Sequence, residues 1–171
     1  MKRKYKLSVF PEDGPLYKIE VSILKDVASL TIDTSGAGLH KRGYRTEKGE
    51  APLRETLAAG IVLLSNWRPD RMLADPFCGS GTIAIEAALI GRNIAPGLYR
   101  SFVAETWPSM PAALWDEERK AAKDDIRNIP VVIVGADADD KTIQVARRNA
   151  RRAGVDREVR FEAVPIERAV L

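Results

Sequence analysis

An aspartate, a glycine-rich turn and the start of an apolar helix follow one another in DPFCGSGT, residues 75–82, and a second aspartate, Asp137, ends the run VVIVGAD. A carboxylate at a strand end can hold an ammonium group or ribose hydroxyls. The N–H groups of a glycine turn at a helix N-terminus can hold an anion. Three ligands compete for such a turn. A phosphate-binding P-loop needs Lys and Ser/Thr after its last glycine; Thr82 follows Gly81 with no Lys, which excludes it. Gly79, Gly81 and Ala84 fit the dinucleotide pattern G-x-G-x-x-A, a weak match by itself. That pattern expects a ribose-binding acid roughly 20 residues on, and Asp137 lies much further away. The third ligand has no phosphate but a zwitterionic amino-acid end: Asp75 for its ammonium, Gly79 to Gly81 and the helix from Thr82 for its carboxylate, Asp137 for its ribose. S-adenosylmethionine has those parts, and this reading accounts for the most residues. A nicotinamide-dependent oxidoreductase is the more distant alternative. Cys78 sits inside the turn and reads as a small packed residue rather than a nucleophile. Asp139 reads as the cap of the next helix.

These residues need a frame. YKLSVF and YKIEVSIL flank the turn signal PEDGP, and VASLTIDTS alternates apolar and polar positions, so residues 5 to 34 read as β. LRETLAAGIVLLSNW has helical spacing, with Pro52 suited to its first turn. RMLAD is a short strand; residues 81–91 a helix; residues 92–111 an irregular stretch broken by prolines. ALWDEERKAAKDDIRNI is a charged amphipathic helix, VVIVGAD a buried-type strand, DKTIQVARRNARRAG a helix ending at Gly154, and EVRFEAV a strand. Strand and helix alternate from residue 71, which predicts a parallel, doubly wound α/β sheet whose strand tips open onto one crevice.

The bulk properties fit. The chain has 171 residues, 45% apolar and 30% charged, the balance of an ordinary globular protein. A net charge of +3 is compatible with a nucleic-acid partner without demanding one. One cysteine and one histidine leave no disulfide framework and no zinc cluster. No apolar run approaches the roughly 20 residues of a membrane span, and a cytoplasmic location is the expectation.

DPFCGSGTIAIEAALIGRNIAPGLYRSF, with IDTSGAGLHKRGYR and APLRETLAAGI, resembles the THUMP-containing ribosomal RNA guanine-N2 methyltransferases, also known as N6-adenine DNA methylases. The resemblance covers nearly the whole chain. It implies a Rossmann-like S-adenosylmethionine-dependent methyltransferase fold. Asp75, Pro76, Phe77, Cys78, Gly79, Ser80, Gly81 and Thr82 would form the cofactor loop. Asp137, with Ala138 beside it, would hold the ribose, and the helix near Arg54, Glu55 and Thr56 would close over the methionine end. An exocyclic amine of a base in RNA, most simply guanine-N2 of large-subunit ribosomal RNA, would be the methyl acceptor. DNA adenine-N6 and a non-catalytic cofactor- or RNA-binding module are the alternatives.

The chain departs from that family in two ways. It begins about where the RNA-binding THUMP domain would end, and no Asn-Pro-Pro-Tyr-type catalytic motif occurs in it. Residues 1–49 are therefore expected to be a β-rich segment and basic arm, and residues 50–171 a partial cofactor-binding domain with the N-terminal half of the sheet only. The first strand of that sheet would be an open edge, which invites pairing with a second copy. In the arm, His40, Lys41, Arg42, Tyr44 and Arg45 are expected to face RNA or to cover the cofactor, cations toward phosphates and Tyr44 toward a base. RRNARR, residues 147–152, reads as a solvated helix face.

Overall fold

A computed structural model describes residues 12–46 and 53–168. The strand expected over YKLSVF and the placement of Pro52 lie outside the described residues. The chain divides into two compact units, one formed by Met1–Ala37 with Ser101–Trp115, the other by Gly38–Arg100 with Asp116–Leu171.

The described part of the first unit is built on a hairpin, β1 (Lys18–Leu24) and β2 (Val27–Asp33), paired antiparallel with Lys18 opposite Asp33 and Leu24 opposite Val27. Lys25 and Asp26 make the two-residue turn with φ of 49° and 62°, the positive pair a type I′ turn requires. Asp33 closes the second strand by accepting from the N–H groups of Gly36 and Ser35, which hold its carboxyl below the usual range. The 3-10 turn Val103–Thr106 then docks on the strand end, its N–H groups donating to Ser35 and Thr34. Trp107 stacks on Tyr17 with ring centroids 4.7 Å apart. Residues 101–115 join the hairpin through main-chain hydrogen bonds and ring contacts that have no local sequence signal. The basic arm belongs to the other unit.

The second unit holds a three-stranded parallel sheet in the order β3 (Leu73–Asp75), β4 (Ile133–Asp137), β5 (Val159–Ala163). The expected half of a doubly wound sheet is what forms. Helix α1 spans Glu55–Leu64, α2 Thr82–Gly91 and α4 Asp140–Ala153, while α3, Ala112–Asp124, begins in the first unit and ends in the second. Helix α2 is apolar on nearly every side, as a helix must be when it is enclosed; it touches α1, β3, β4, β5 and α4. Helix α4 is amphipathic, burying Ile143, Ala146, Ala150 and Ala153 and exposing Arg147, Arg148, Arg151 and Arg152. Asp139 caps it, accepting from the N–H groups of Lys141 and Thr142 and from the Thr142 hydroxyl, contacts that depress its carboxyl. Gly154, at φ +72°, ends it, with Val155 N–H returning to the Ala150 carbonyl in a left-handed C-cap.

Strand β4 is central and fully covered at Ile133, Val134 and Ala136. Among the described residues strand β3 pairs on one side only. Along its free edge runs an open cleft of about 460 Å³ lined by Ile61, Trp67, Met72, Leu73, Ala74 and Asp75, among others. Among the described residues no helix is long and apolar enough to cross a membrane, and no cluster of His, Cys, Asp and Glu could hold a metal ion.

Candidate functional site: the glycine turn between two acids

Parallel pairing sets Asp75 opposite Gly135, so β3 and β4 end side by side and bring both aspartates to one end of the sheet. The chain leaves β3 through an Asx turn in which Asp75 accepts from the Phe77 N–H at 3.2 Å. Cys78 N–H then donates to the Ala136 carbonyl at 2.8 Å, tying the turn to the neighbouring strand. Gly79 N–H donates to Asp137 Oδ2 at 3.2 Å, and Asp139 N–H donates to Oδ1 of the same carboxylate at 3.0 Å. Asp137 is thus oriented by backbone and keeps lone pairs for a ligand.

Two glycines are required for different reasons. Gly79 has φ +53° and open space where a Cβ would stand. Gly81 has φ +82°, and a Cβ there would come within 2.7 Å of the Phe161 ring and 3.1 Å of Ala146. The turn therefore lies flat on β5 and α4. Gly81 is also the N-cap of α2, which no side chain caps, so the first N–H groups of that helix are donors without a protein cap.

Two acids near one another in a half-buried crevice need a counter-charge. Burial, and then the nearby Asp137 charge, push the Asp75 carboxyl above its usual range, against the Phe77 N–H. Neither acid is ion-paired among the described residues. The N–H groups at the start of α2, in turn, have no side-chain cap. Cys78 is buried, and burial with the two acids pushes its thiol up to about 12, the direction of a packed rather than an activated thiol. Pro76 is half-buried, and Phe77 and Ala138 are exposed at the mouth.

The basic arm takes a different course from the one expected. Arg42 directs Nε and Nη2 at the two oxygens of Glu86, each at 3.4 Å, and the buried Tyr44 donates its hydroxyl to Glu86 Oε1 at 3.0 Å. Arg45 donates to the Thr82 hydroxyl and the Leu53 carbonyl, and its Nη1 lies 3.6 Å from Glu55 Oε1. These three side chains face inward, because Glu86 and Glu55 are buried acids that need cationic partners. Arg42, Tyr44 and Arg45 thus make their described contacts within the unit, to Glu86, Thr82, Leu53 and Glu55. Of the five arm residues Lys41 is exposed and His40 half-buried. Thr56 is likewise exposed, and it is Glu55, one residue earlier, that turns inward.

Residues 42–168 match the UPF0020 family model, described as RMKL-like, methyltransferase domain. The chain belongs to that family. This RMKL-like domain is 50% identical over 157 residues to the Bacillus subtilis protein named "Putative RNA methyltransferase YpsC", covering 91% of this chain and 41% of that protein. It is 45% identical over 152 residues to the Vibrio cholerae ribosomal RNA large subunit methyltransferase K/L, covering 84% of this chain and 21% of that one. Among solved structures it superposes on a "predicted N6-adenine-specific DNA methylase" from Listeria monocytogenes with TM-score 0.94 at 50% identity, across 99% of this chain and 45% of that one. It also superposes on SMU.472 complexed with SAH, with TM-score 0.90 at 45% identity, over the same shares of the two chains. The chain thus spans under half the length of these relatives.

Two buried polar residues of this RMKL-like domain escape a reading by motif. Glu86 is 2% exposed and Asn149 fully buried. Each had a signal: one acid in the apolar run IAIEAALIG, and one amide on the inner face of a helix whose neighbours there are alanines.

Proposed function

We propose that this chain carries the S-adenosylmethionine site of an RNA methyltransferase, with the amino-acid end of the cofactor at Asp75 and the Gly79–Thr82 turn and its ribose at Asp137. The observation that carries this is the pair of uncompensated aspartates flanking an uncapped glycine turn. The likeness to SMU.472, which binds SAH, supports it. The residues fit the group. Gly79 leaves open space beside the turn, and each Asp137 oxygen retains a lone pair after its backbone contact. The bound cofactor would supply an activated methyl group, so the protein's part is to bind and orient rather than to provide a strong base.

The acceptor we propose is an exocyclic amine of a base in RNA, most simply guanine-N2 of large-subunit ribosomal RNA, with the protein acting in the cytoplasm. The names of the YpsC and K/L relatives favour RNA. The name of the Listeria structure favours DNA adenine-N6 instead. Transfer of labelled methyl groups by the whole protein to ribosomal RNA and to duplex DNA decides between them; label confined to DNA overturns the RNA reading. Of the arm, Lys41 and His40 remain the groups proposed to meet RNA. The free edge of β3 is proposed to pair with a second copy of the chain, and a strictly monomeric species in sedimentation equilibrium would remove that element.

The cofactor site is tested by calorimetric titration with S-adenosylhomocysteine across acidic to neutral pH. The ligand's ammonium needs an ionised Asp75, whose carboxyl is raised in the free protein. Affinity should therefore be full at neutral pH. It should begin to fall at a higher pH than an ordinary aspartate, near 3.9, would dictate. The same shift means the free fold favours protonated Asp75, so weaker binding at low pH is no sign of unfolding. Saturable binding of NAD with no binding of S-adenosylhomocysteine would sink the assignment.

A further inference from the structure

We propose that Asn149 is a positioning residue of the cofactor turn, its carboxamide setting the Ser80–Gly81 peptide from which the N–H groups offered to the ligand begin. This rests on the cofactor reading above. Asn149 stands on the inner face of α4, beside Ala146, Ala150 and Ala153, and is 0% exposed. Its Nδ2 donates to the Ser80 carbonyl at 3.1 Å across 69 positions of sequence. Its Oδ1 is buried with no partner.

An apolar side chain of similar size would remove the orphaned Oδ1 while leaving the Ser80 carbonyl without its donor, so the two costs offset one another. Fold stability is therefore no reason for an amide at this position. The geometry of the turn supplies one. The Ser80–Gly81 peptide is held at both ends, its carbonyl by Asn149 and its N–H by the Cys78 carbonyl at 2.8 Å. On the sheet side Gly81 already lies against Phe161 and Ala146, so the turn cannot settle further inward. Without the amide, the peptide is free to rotate about its one remaining hydrogen bond, and the uncapped N–H groups after Gly81 lose their fixed direction. Binding sites depend on such prior ordering, because a ligand that must order its own donors binds more weakly.

The test is Asn149→Leu in the chain as it stands, read by thermal melting, by calorimetry with S-adenosylhomocysteine and by amide exchange. The expected result is a melting temperature close to that of the unmodified protein, with Kd raised about threefold to tenfold, the worth of one net hydrogen bond. Exchange at the Gly81 N–H should quicken while that at the Ala146 N–H, buried within α4, stays slow. A Leu variant that binds as tightly as the unmodified protein overturns the proposal. If the unmodified protein is folded and binds no S-adenosylhomocysteine, the cofactor reading itself has failed. If Asn149→Leu does not fold, Asn149→Ala takes its place, with weakened binding in a folded protein expected. Unmodified affinity in the Ala variant, or failure of both variants to fold, shows Asn149 to be a folding residue only and overturns the positioning role.

Discussion

Asp137→Ala should weaken S-adenosylhomocysteine binding about a hundredfold or more while the protein stays folded. The carboxylate is proposed to accept two ribose hydroxyls, and a hydrogen bond to a charged group contributes about 1.5–3 kcal/mol. Losing both therefore removes on the order of 3 kcal/mol or more, each 1.4 kcal/mol being a factor of ten. Two backbone donors, Gly79 and Asp139, also lose their acceptor. Part of the effect is thus a loosened turn rather than a missing ribose contact, and Asp137→Asn separates the two. The isosteric amide keeps one acceptor oxygen for the backbone but presents a donor toward the ligand, so its affinity should lie between the other two. Calorimetry with a melting curve on each variant measures both terms. Equal affinity in Asp137→Ala and unmodified protein would show that the ribose is held elsewhere.

The frame of this site is legible because short-range rules govern it. Asp139 two residues after a strand and directly before DKTIQVA is a cap by type and position, and it caps α4. Asp75 and Asp137 end apolar runs that alternate with helices, so parallel pairing had to bring them together. The basic arm is different. LHKRGYR states that cations and a tyrosine are present, but the direction Arg42 faces is decided 44 positions away by a single acid in α2, which also takes the Tyr44 hydroxyl. Composition treats Arg42 as solvent-facing because arginine is mostly exposed; the buried Glu86 reverses that average. Residues 101–115 are hidden for the same reason. They join the hairpin through contacts such as Trp107 Nε1 to the Leu16 carbonyl, which spans 91 positions. Local pattern thus locates the strand ends and caps, while burial of isolated polar groups selects their partners.

The second large effect is at Glu86, where two substitutions should differ sharply. Glu86→Ala leaves Arg42, whose side chain is 11% exposed, and the buried Tyr44 hydroxyl without their shared acceptor. Removing one partner of a buried pair costs about 3–5 kcal/mol; the lower end applies because Arg42 keeps the Leu39 carbonyl. At about 2–4 °C per kcal/mol for a chain of this size, the melting temperature should fall on the order of 10 °C. Glu86→Gln should cost far less. Burial pushes the Glu86 carboxyl above its usual range and outweighs the pull of Arg42, so the fold tolerates the neutral form. A carboxyl raised in the folded state contributes stability that is fully present below its unfolded pKa and lost as pH rises through the folded value. The unmodified protein should therefore lose ground to the Gln variant as pH rises from acidic toward neutral. The opposite trend, a gap widening in favour of glutamate, would mean the charge pair outweighs desolvation. The Ala variant has a consequence for function as well. Once Glu86 no longer holds Arg42 and Tyr44, trypsin should cut at Lys41 and Arg42 faster. Arg45, on the same arm, then has a weaker hold on Thr82 at the entrance to α2, and affinity for S-adenosylhomocysteine should fall with it.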